Sequence, residues 1–412
     1  MQNLKYGTET IPFDFPDHGE VFHIDEPEIS ITPIKFAHRI KTFLALLNPD
    51  LKNVAIVLGD KTRVCGYQRY LPVLLETLEH FGASPDHITI FIAYGTHARQ
   101  SEEESRAIYG NSYKKYRFIH HECTDEKIFI HRGKTSRGTQ IMIRKDIAET
   151  SFLITFGAIS HHYFAGYGGG RKLIFPGLGF QEAIYHNHSL FLDKENRVLA
   201  PCCQPGILEK NPLAEDLMEI EHRRPADMSI HGILNSRGEI CDLLTGKGVA
   251  HFKRACAEHG RYFEISGNRV YDLVIASCGG YPKDINFIQA HKALHNAAKF
   301  IKTGGTLILL ARCREGIGSK TFLPWFEKES RERAFNRLAV HYKGNGGTAL
   351  SMMSKTERIR ICMVTELEDN ITKTMGVERI SADKAEAMAQ SCPGSLAVIP
   401  NAGLLVKMGL LF

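Results

Sequence analysis

The feature that most constrains the fold is a recurring pattern: a short, continuously apolar segment, then a polar turn, then a helical periodicity. NVAIVL (Asn53 to Leu58) precedes an amphipathic stretch from Arg69 to Phe81, and ITIFIAY (Ile88 to Tyr94) precedes an acidic helix start. SFLITFG (Ser151 to Gly157), YDLVIAS (Tyr271 to Ser277), TLILLA (Thr306 to Ala311), RIRICMV (Arg358 to Val364) and SLAVIP (Ser395 to Pro400) repeat the theme. A strand that is apolar on both faces is buried on both faces, which is how parallel strands covered by helices read. The expectation is an α/β fold with largely parallel sheets. At 412 residues the chain exceeds one compact core and suits two such domains. A helical pattern from Gly246 to Phe263, the polar turn SGNR and the fresh strand at Tyr271 place the boundary near Gly267, giving domains 1–266 and 267–412.

Composition narrows the class. A formal charge of +5 is spread along the chain, with Glu102 to Glu104 interleaved among basic residues, so no cationic arm exists for nucleic acid. A small anionic ligand accounts better for the mild basic excess. The cysteines show no paired zinc spacing: Cys202 and Cys203 are adjacent and the others stand far apart, as in reduced cytosolic thiols. The N-terminus MQNLKYGTETIPFDFP has no basic flank before an apolar core, and no stretch nears the roughly 20 apolar residues that span a bilayer. A cytoplasmic protein with neither nucleic acid nor membrane as partner is expected.

The chemistry-bearing residues cluster where predicted strands end, which is where open α/β sheets build their sites. GDKTR carries Asp60 and Arg63, and YGTHARQSEEE carries His97. Ser101 and Glu104 in the latter form a capping-box pattern, which explains neither His97 nor Arg63. SHHYFAGYGGGRKLIFPG holds His161, His162 and the glycines Gly166, Gly168, Gly169 and Gly170 ahead of Arg171 and Lys172. Such a cluster either lets the backbone approach an anion closely or is a flexible connector. It is neither a P-loop, which needs Gly-Lys-Ser/Thr, nor GxGxxG, since Arg171 takes the last glycine position. In QEAIYHNHSLF, His186 and His188 are two apart, so on a helix only one of them faces a site. CGGYPKDINFIQAHKAL puts Gln289 and Lys292 on one helix face, either solvated or reaching a ligand.

Taken together, DKTR, GTH-x-R-x-x-x-E-E, HH-x-x-x-GYGGGRK-x-x-x-PG, HNH and GGYPKDIN-x-x-Q-x-x-K resemble, in order from residue 60 to 292, the signature segments of the nickel-pincer lactate racemase family. The resemblance implies two α/β domains flanking an active-site cleft, the first carrying the cofactor attachment and catalytic histidines and the second closing the cleft. It implies an isomerase, a racemase or epimerase of 2-hydroxy acids. The implied cofactor is a nickel-pincer nucleotide, pyridinium-3,5-bisthiocarboxylic acid mononucleotide, bound covalently at Lys172, with His188 as metal ligand. Gly168, Gly169, Gly170, Asp60 and Gln289 would bind or orient it, and nickel accepts such a mixed imidazole and sulfur set. His97 and His162 match the acid–base pair that flanks the reacting carbon, and Arg63 and Lys292 match the cations that hold carboxylate and oxygen. The enzymes that make the cofactor are implied partners; oligomerisation is left open.

Two departures bear on the substrate. Val64-Cys65-Gly66-Tyr67 stands where the family often has proline, and the only tryptophan, Trp325, lies too early to be the family's late one, whose neighbourhood reads NGGTALSMMSK. A changed pocket lining points away from lactate towards malate, a sugar acid or another larger 2-hydroxy acid. Two further readings stand beside the racemase: a metal-dependent hydrolase using the histidines around zinc, and a non-catalytic phosphate- or nucleotide-binding protein for which the glycine loop suffices.

Overall fold

A computed structural model describes residues 1–327 and 330–409. The chain forms two compact units: one comprises Glu26–Leu190 and Cys202–Tyr262, the other Met1–Asp25, Phe191–Pro201 and Phe263–Phe412. In chain order the strands of the two main sheets are β1 (Glu20–Val21), β2 (Val54–Gly59), β3 (Ile88–Ala93), β4 (Arg117–His120), β5 (Phe152–Ala158), β6 (Met228–Leu234), β7 (Ile240–Gly246), β8 (Tyr271–Ser277), β9 (Ile301–Leu310), β10 (Arg360–Val364), β11 (Glu378–Arg379) and β12 (Leu396–Ile399).

The sheet of the larger unit runs β7–β6–β5–β2–β3–β4. All neighbours are parallel except the β6/β7 hairpin. Every residue of β2 is buried, as the apolar run demands. The chain starts in the middle at β2, moves out through β3 and β4, and returns on the other side as β5. The order therefore reverses between β2 and β5, and a crevice opens beyond their carboxyl ends. One face is covered by the helices Pro33–Leu47 and Tyr67–His80, which bury Phe36, Ile40, Leu44, Leu71, Leu74 and Leu78 against Ile56, Ile90, Ile154 and Ile230. The predicted capping box is present: Ser101 caps the helix Glu102–Tyr109 together with Glu104.

The second sheet, β11–β10–β9–β8–β12–β1, is parallel throughout. Here the expected domain limits need correction. The first 25 residues and Phe191–Pro201 group with the C-terminal unit, and the chain enters that unit at Phe263. The reason is pairing and burial. Strand β1 adds to β12 at the sheet edge, and the hairpin Gln2–Tyr6/Glu9–Phe13 buries Leu4 and Phe13 among Leu273, Ile275 and Ile308. Phe191, fully buried, meets Tyr342 at a ring distance of 6.0 Å. None of the ten cysteines is in a disulfide. Among the described residues no helix is long and apolar enough to cross a membrane.

The strand reversal is held by one side chain. The buried Tyr67 hydroxyl accepts the Gly59 N–H at 2.8 Å and donates to the Phe156 carbonyl at 2.9 Å, tying the end of β2 to β5. Tyr67→Phe removes both bonds from buried backbone groups, which costs about 1–3 kcal/mol. Urea unfolding is expected to show a lower midpoint at an unchanged slope; an unshifted midpoint would refute the role.

Candidate active site

The site is assembled from the ends of β2, β3 and β5. Immediately after β2, Asp60 is 2% exposed, and its Oδ1 accepts both the Thr62 N–H at 2.8 Å and the Thr62 hydroxyl at 2.7 Å. The turn closes with the Arg63 N–H on the Asp60 carbonyl and leaves the Arg63 side chain exposed. Gly59 has no room for a side chain here, because a Cβ would press on the Arg63 backbone and Cβ. After β3, Tyr94 to His97 form a turn, and Gly95 N–H donates to Gly177 O at 2.8 Å while Gly177 N–H donates to Lys172 O at 2.9 Å. The loop bearing His97 is thereby tied to the segment bearing Lys172.

His97 Nδ1 lies 2.8 Å from Asp60 Oδ2. Burial pushes the Asp60 carboxyl up, but the hydrogen bond and charge of His97 and the two bonds from Thr62 outweigh it and hold the group below the usual carboxylate range. An ionised Asp60 takes the Nδ1 proton as a hydrogen bond and leaves the basic lone pair of His97 on Nε2. The pairing is buttressed by Gln100, 3% exposed, which accepts the Lys61 N–H at 2.9 Å and donates to Ser105 Oγ at 3.0 Å. Nothing in the sequence pattern singled out Gln100 or Tyr67: a glutamine in a polar loop and a tyrosine on an amphipathic helix look ordinary.

Beyond β5 the chain makes the small hairpin His161–His162/Gly166–Tyr167. His162 Nδ1 accepts the N–H of Phe164 at 3.3 Å and of Ala165 at 3.0 Å, so its proton resides on Nε2. The two histidines are held in opposite forms, His97 with an accepting Nε2 and His162 with a donating one. In the glycine turn, Gly169 has φ +75°, and a Cβ would run into the Ala158 carbonyl, so the turn folds tightly onto the end of β5. Among the described residues the N–H groups of Gly169, Gly170 and Arg171 donate to no backbone oxygen, a set suited to an anion. The Arg171 side chain turns inward, with its guanidinium 4.6 Å over the Phe252 ring.

Lys172, half-buried, follows at once. Burial first, then the charges of Arg63 and Arg171, hold its amine well below the usual lysine range. His188 lies on the helix Gln181–Ser189, and its Nδ1–H donates to the Ile184 carbonyl at 2.6 Å, putting the lone pair on Nε2 as a metal ligand requires. Burial and then the charge of Lys172 push His188 down to about 4, and the charge of His97 adds to this. Lys172 thus senses Arg63, and His188 senses Lys172 and His97. His186 faces elsewhere, exposed, with Nδ1 on Thr139 Oγ1 at 2.9 Å.

Gln289 and Lys292 belong to the other unit. There Asn286 caps the helix Phe287–Ala297, which follows β8, and Lys292 Nζ donates to Gln289 Oε1 at 2.6 Å. Among the described residues no three of His, Cys, Asp and Glu are gathered as a metal site. A zinc hydrolase built on protein ligands alone needs three.

The histidines of this unit predict its acid response. Burial pushes His121 down to about 4, and burial followed by the charge of His251 pushes His231 down to about 3. Both are neutral when folded and titrate near 6.5 when unfolded, so between those values the unfolded chain binds more protons. Their contribution is intact above about pH 6.5 and is lost as the pH falls towards 4. Denaturant midpoints should drop over that window, less steeply in His231→Leu; equal slopes for variant and parent would contradict the assignment.

Residues 6–200 match the lactate racemase N-terminal domain and residues 267–403 the lactate racemase C-terminal domain. The chain is 28% identical over 346 residues to the lactate racemase of Thermoanaerobacterium thermosaccharolyticum, covering 81% of this chain and 79% of the relative. It is 30% identical over 272 residues to the lactate racemase of Lactiplantibacillus plantarum, covering 66% of this chain and 62% of that one. The solved lactate racemase apoprotein of T. thermosaccharolyticum superposes with a TM-score of 0.89 at 24% identity over 99% of each chain. A Thermotoga maritima protein does so with a TM-score of 0.67 at 15% identity, over 94% of this chain and 99% of that one. The two matching domains, which together cover most of the chain, and the shared two-domain α/β fold make this chain a member of the lactate racemase family, an isomerase.

Proposed function

We propose that the protein interconverts the stereoisomers of a 2-hydroxy acid other than lactate, using a nickel-pincer nucleotide joined to Lys172. The observation that carries this reading is the pairing of Lys172, whose amine is held well below the usual lysine range by burial and neighbouring cations, with His188, whose Nδ1–H is fixed on Ile184. An uncharged amine is the form that makes an amide-type bond, and a histidine anchored at Nδ1 offers Nε2 to a metal. The amides of Gly169 and Gly170 suit the nucleotide phosphate. A single histidine, in place of a three-ligand protein site, fits a metal whose other donors come from the cofactor. When bound, the group supplies a reversible acceptor for the hydride of the substrate's carbon 2.

The protein's own part is proton transfer and positioning. His97, oriented by Asp60, takes the hydroxyl proton through Nε2 as the alcohol becomes a keto acid. His162 gives a proton from Nε2 to the keto oxygen when the alcohol re-forms with the opposite configuration. An imidazole can either accept or give a proton, and the roles exchange for the reverse direction. Arg63, exposed beside Asp60, is suited to the substrate carboxylate, a part that the family pattern also gives to Lys292. The segment NGGTALSMMSK forms a helix without tryptophan, Gly346–Thr356, which supports a substrate other than lactate.

Protein produced alongside the cofactor-making enzymes tests the reading. Intact mass is expected to show an adduct and about one nickel per chain, both lost in Lys172→Ala. His97→Ala and His162→Ala should keep adduct and nickel yet lose interconversion by about 10²–10⁴-fold. An adduct surviving in Lys172→Ala, or nickel lost from both histidine variants, would overturn the assignments.

A further inference from the structure

Two of the site's histidines sit on segments that hang on one helix of the same unit, Pro212–Glu221. Asp216, in its second turn, is fully buried and accepts three hydrogen bonds. The Thr135 hydroxyl donates to Oδ1 at 2.5 Å, and the Thr139 hydroxyl and the Asn187 side-chain amide donate to Oδ2 at 2.7 and 2.8 Å. All three donors are neutral, and among the described residues no cation pairs with the carboxylate. A carboxylate out of water is costly, and a place that only had to be filled would be filled as well by an apolar side chain. What the carboxylate adds is direction, because each of its donors is held at a fixed angle.

Asn187 is the middle residue of His186-Asn187-His188 on the helix Gln181–Ser189. It is fully buried, and its Nδ2 also donates to the Leu213 carbonyl at 3.4 Å, again on Pro212–Glu221. Successive side chains of a helix point about 100° apart, so the direction of Asn187 sets those of both neighbours. On one side, exposed His186 meets Thr139, whose hydroxyl proton goes to Asp216 and whose oxygen therefore takes the His186 Nδ1–H. On the other side, half-buried His188 donates its Nδ1–H to Ile184. The sequence HNH offers either histidine; the bond from Asn187 to Asp216 selects His188.

The start of the same helix holds the other segment. Asn211, fully buried, caps it through Oδ1, which accepts the Ala214 N–H at 3.1 Å. Its Nδ2 donates to the Phe164 carbonyl at 2.8 Å and the Ile207 carbonyl at 2.9 Å. Phe164 and Ala165 are the residues whose N–H groups fix His162.

We infer that the helix Pro212–Glu221 is a positioning element of the site: Asp216, acting through Asn187, turns His188 to the cofactor metal, and Asn211, acting through the turn at Phe164, sets His162. The inference rests on the proposed function, because it takes His188 as the metal ligand and His162 as a proton donor. Asp216 and Asn211 are positioning residues, each acting through a neighbour. Partners that orient a metal-bound histidine are worth about 10–100-fold in metal affinity.

Protein produced alongside the cofactor-making enzymes and then exposed to a chelator separates the two arms. Asp216→Asn and Asn187→Leu are expected to keep the adduct on Lys172 while nickel leaves about 10–100-fold faster than from the parent. Asn211→Ser retains a capping oxygen but lacks the amide N–H groups; it should hold nickel at the parent's rate and lose interconversion about tenfold or more. Thr135→Val removes a bond from the other oxygen of Asp216 and controls for lost stability; its nickel should leave as slowly as the parent's. Should Asp216→Asn fail to fold, Asn187→Leu leaves the carboxylate with both threonines and reads the same link. Nickel leaving Asn187→Leu no faster than the parent, or leaving Thr135→Val and Asn211→Ser just as fast, would overturn the inference.

Imidazole ¹H–¹⁵N spectra of the protein without cofactor give a readout independent of loading. His188 should carry its proton on Nδ1 in the parent and in Thr135→Val, and show both tautomers in Asn187→Leu; an unchanged His188 signal in Asn187→Leu overturns the inference. If the parent gains neither adduct nor nickel, the proposed function falls, and these spectra still decide whether Asn187 orients His188.

Discussion

The backbone of Gly59 carries more of this candidate site than any one side chain in it does. Its N–H is held by Tyr67 and its carbonyl by the Tyr109 hydroxyl at 2.7 Å, both rings fully buried. With both polar groups satisfied and Tyr67 also bonded to Phe156, the end of β2 cannot drift from the end of β5. Asp60 is the next residue, and its carboxylate sets the ring of His97. The glycine turn that follows β5 sets the backbone next to Lys172. A sheet whose order reverses at this point leaves room there for a ligand, and the two tyrosines keep the walls of that room in register.

Charge states are set by burial more than by proximity. Lys172 and His188 are both driven towards their neutral forms, chiefly by loss of water and then by neighbouring cations. Loss of water disfavours the charged form of each side chain, so both are pushed in the same direction without an additional acid or base. Asp60 shows the converse, remaining ionised although buried because His97 and Thr62 donate to it.

Much of the fold was legible because apolar runs such as VAIVLG and FLITFGA have one stable outcome, a strand covered on both sides. Strands that depart from that composition were not foreseen. MSIHGIL carries His231 and Gly232 in its interior, and it pairs as a strand between β5 and β7 with His231 stacked on His251, ring centroids 4.8 Å apart, inside the core. The placement of the first 25 residues was equally hidden, since a polar segment such as Glu20–Val21 pairs only once β12 exists to receive it.

By itself the sequence determined the class of fold and the places where chemistry collects. Strand periodicity is a local property, and motifs at strand ends are contiguous in the chain. Only the tertiary structure decided which nitrogen of His97 and of His162 meets a partner, that burial and neighbouring cations hold Lys172 well below the usual lysine range, and that His188 senses Lys172. These properties depend on distance and on exclusion of water. Asp60 and His97 lie 37 residues apart in the chain, and groups so separated meet only when the sheet has formed.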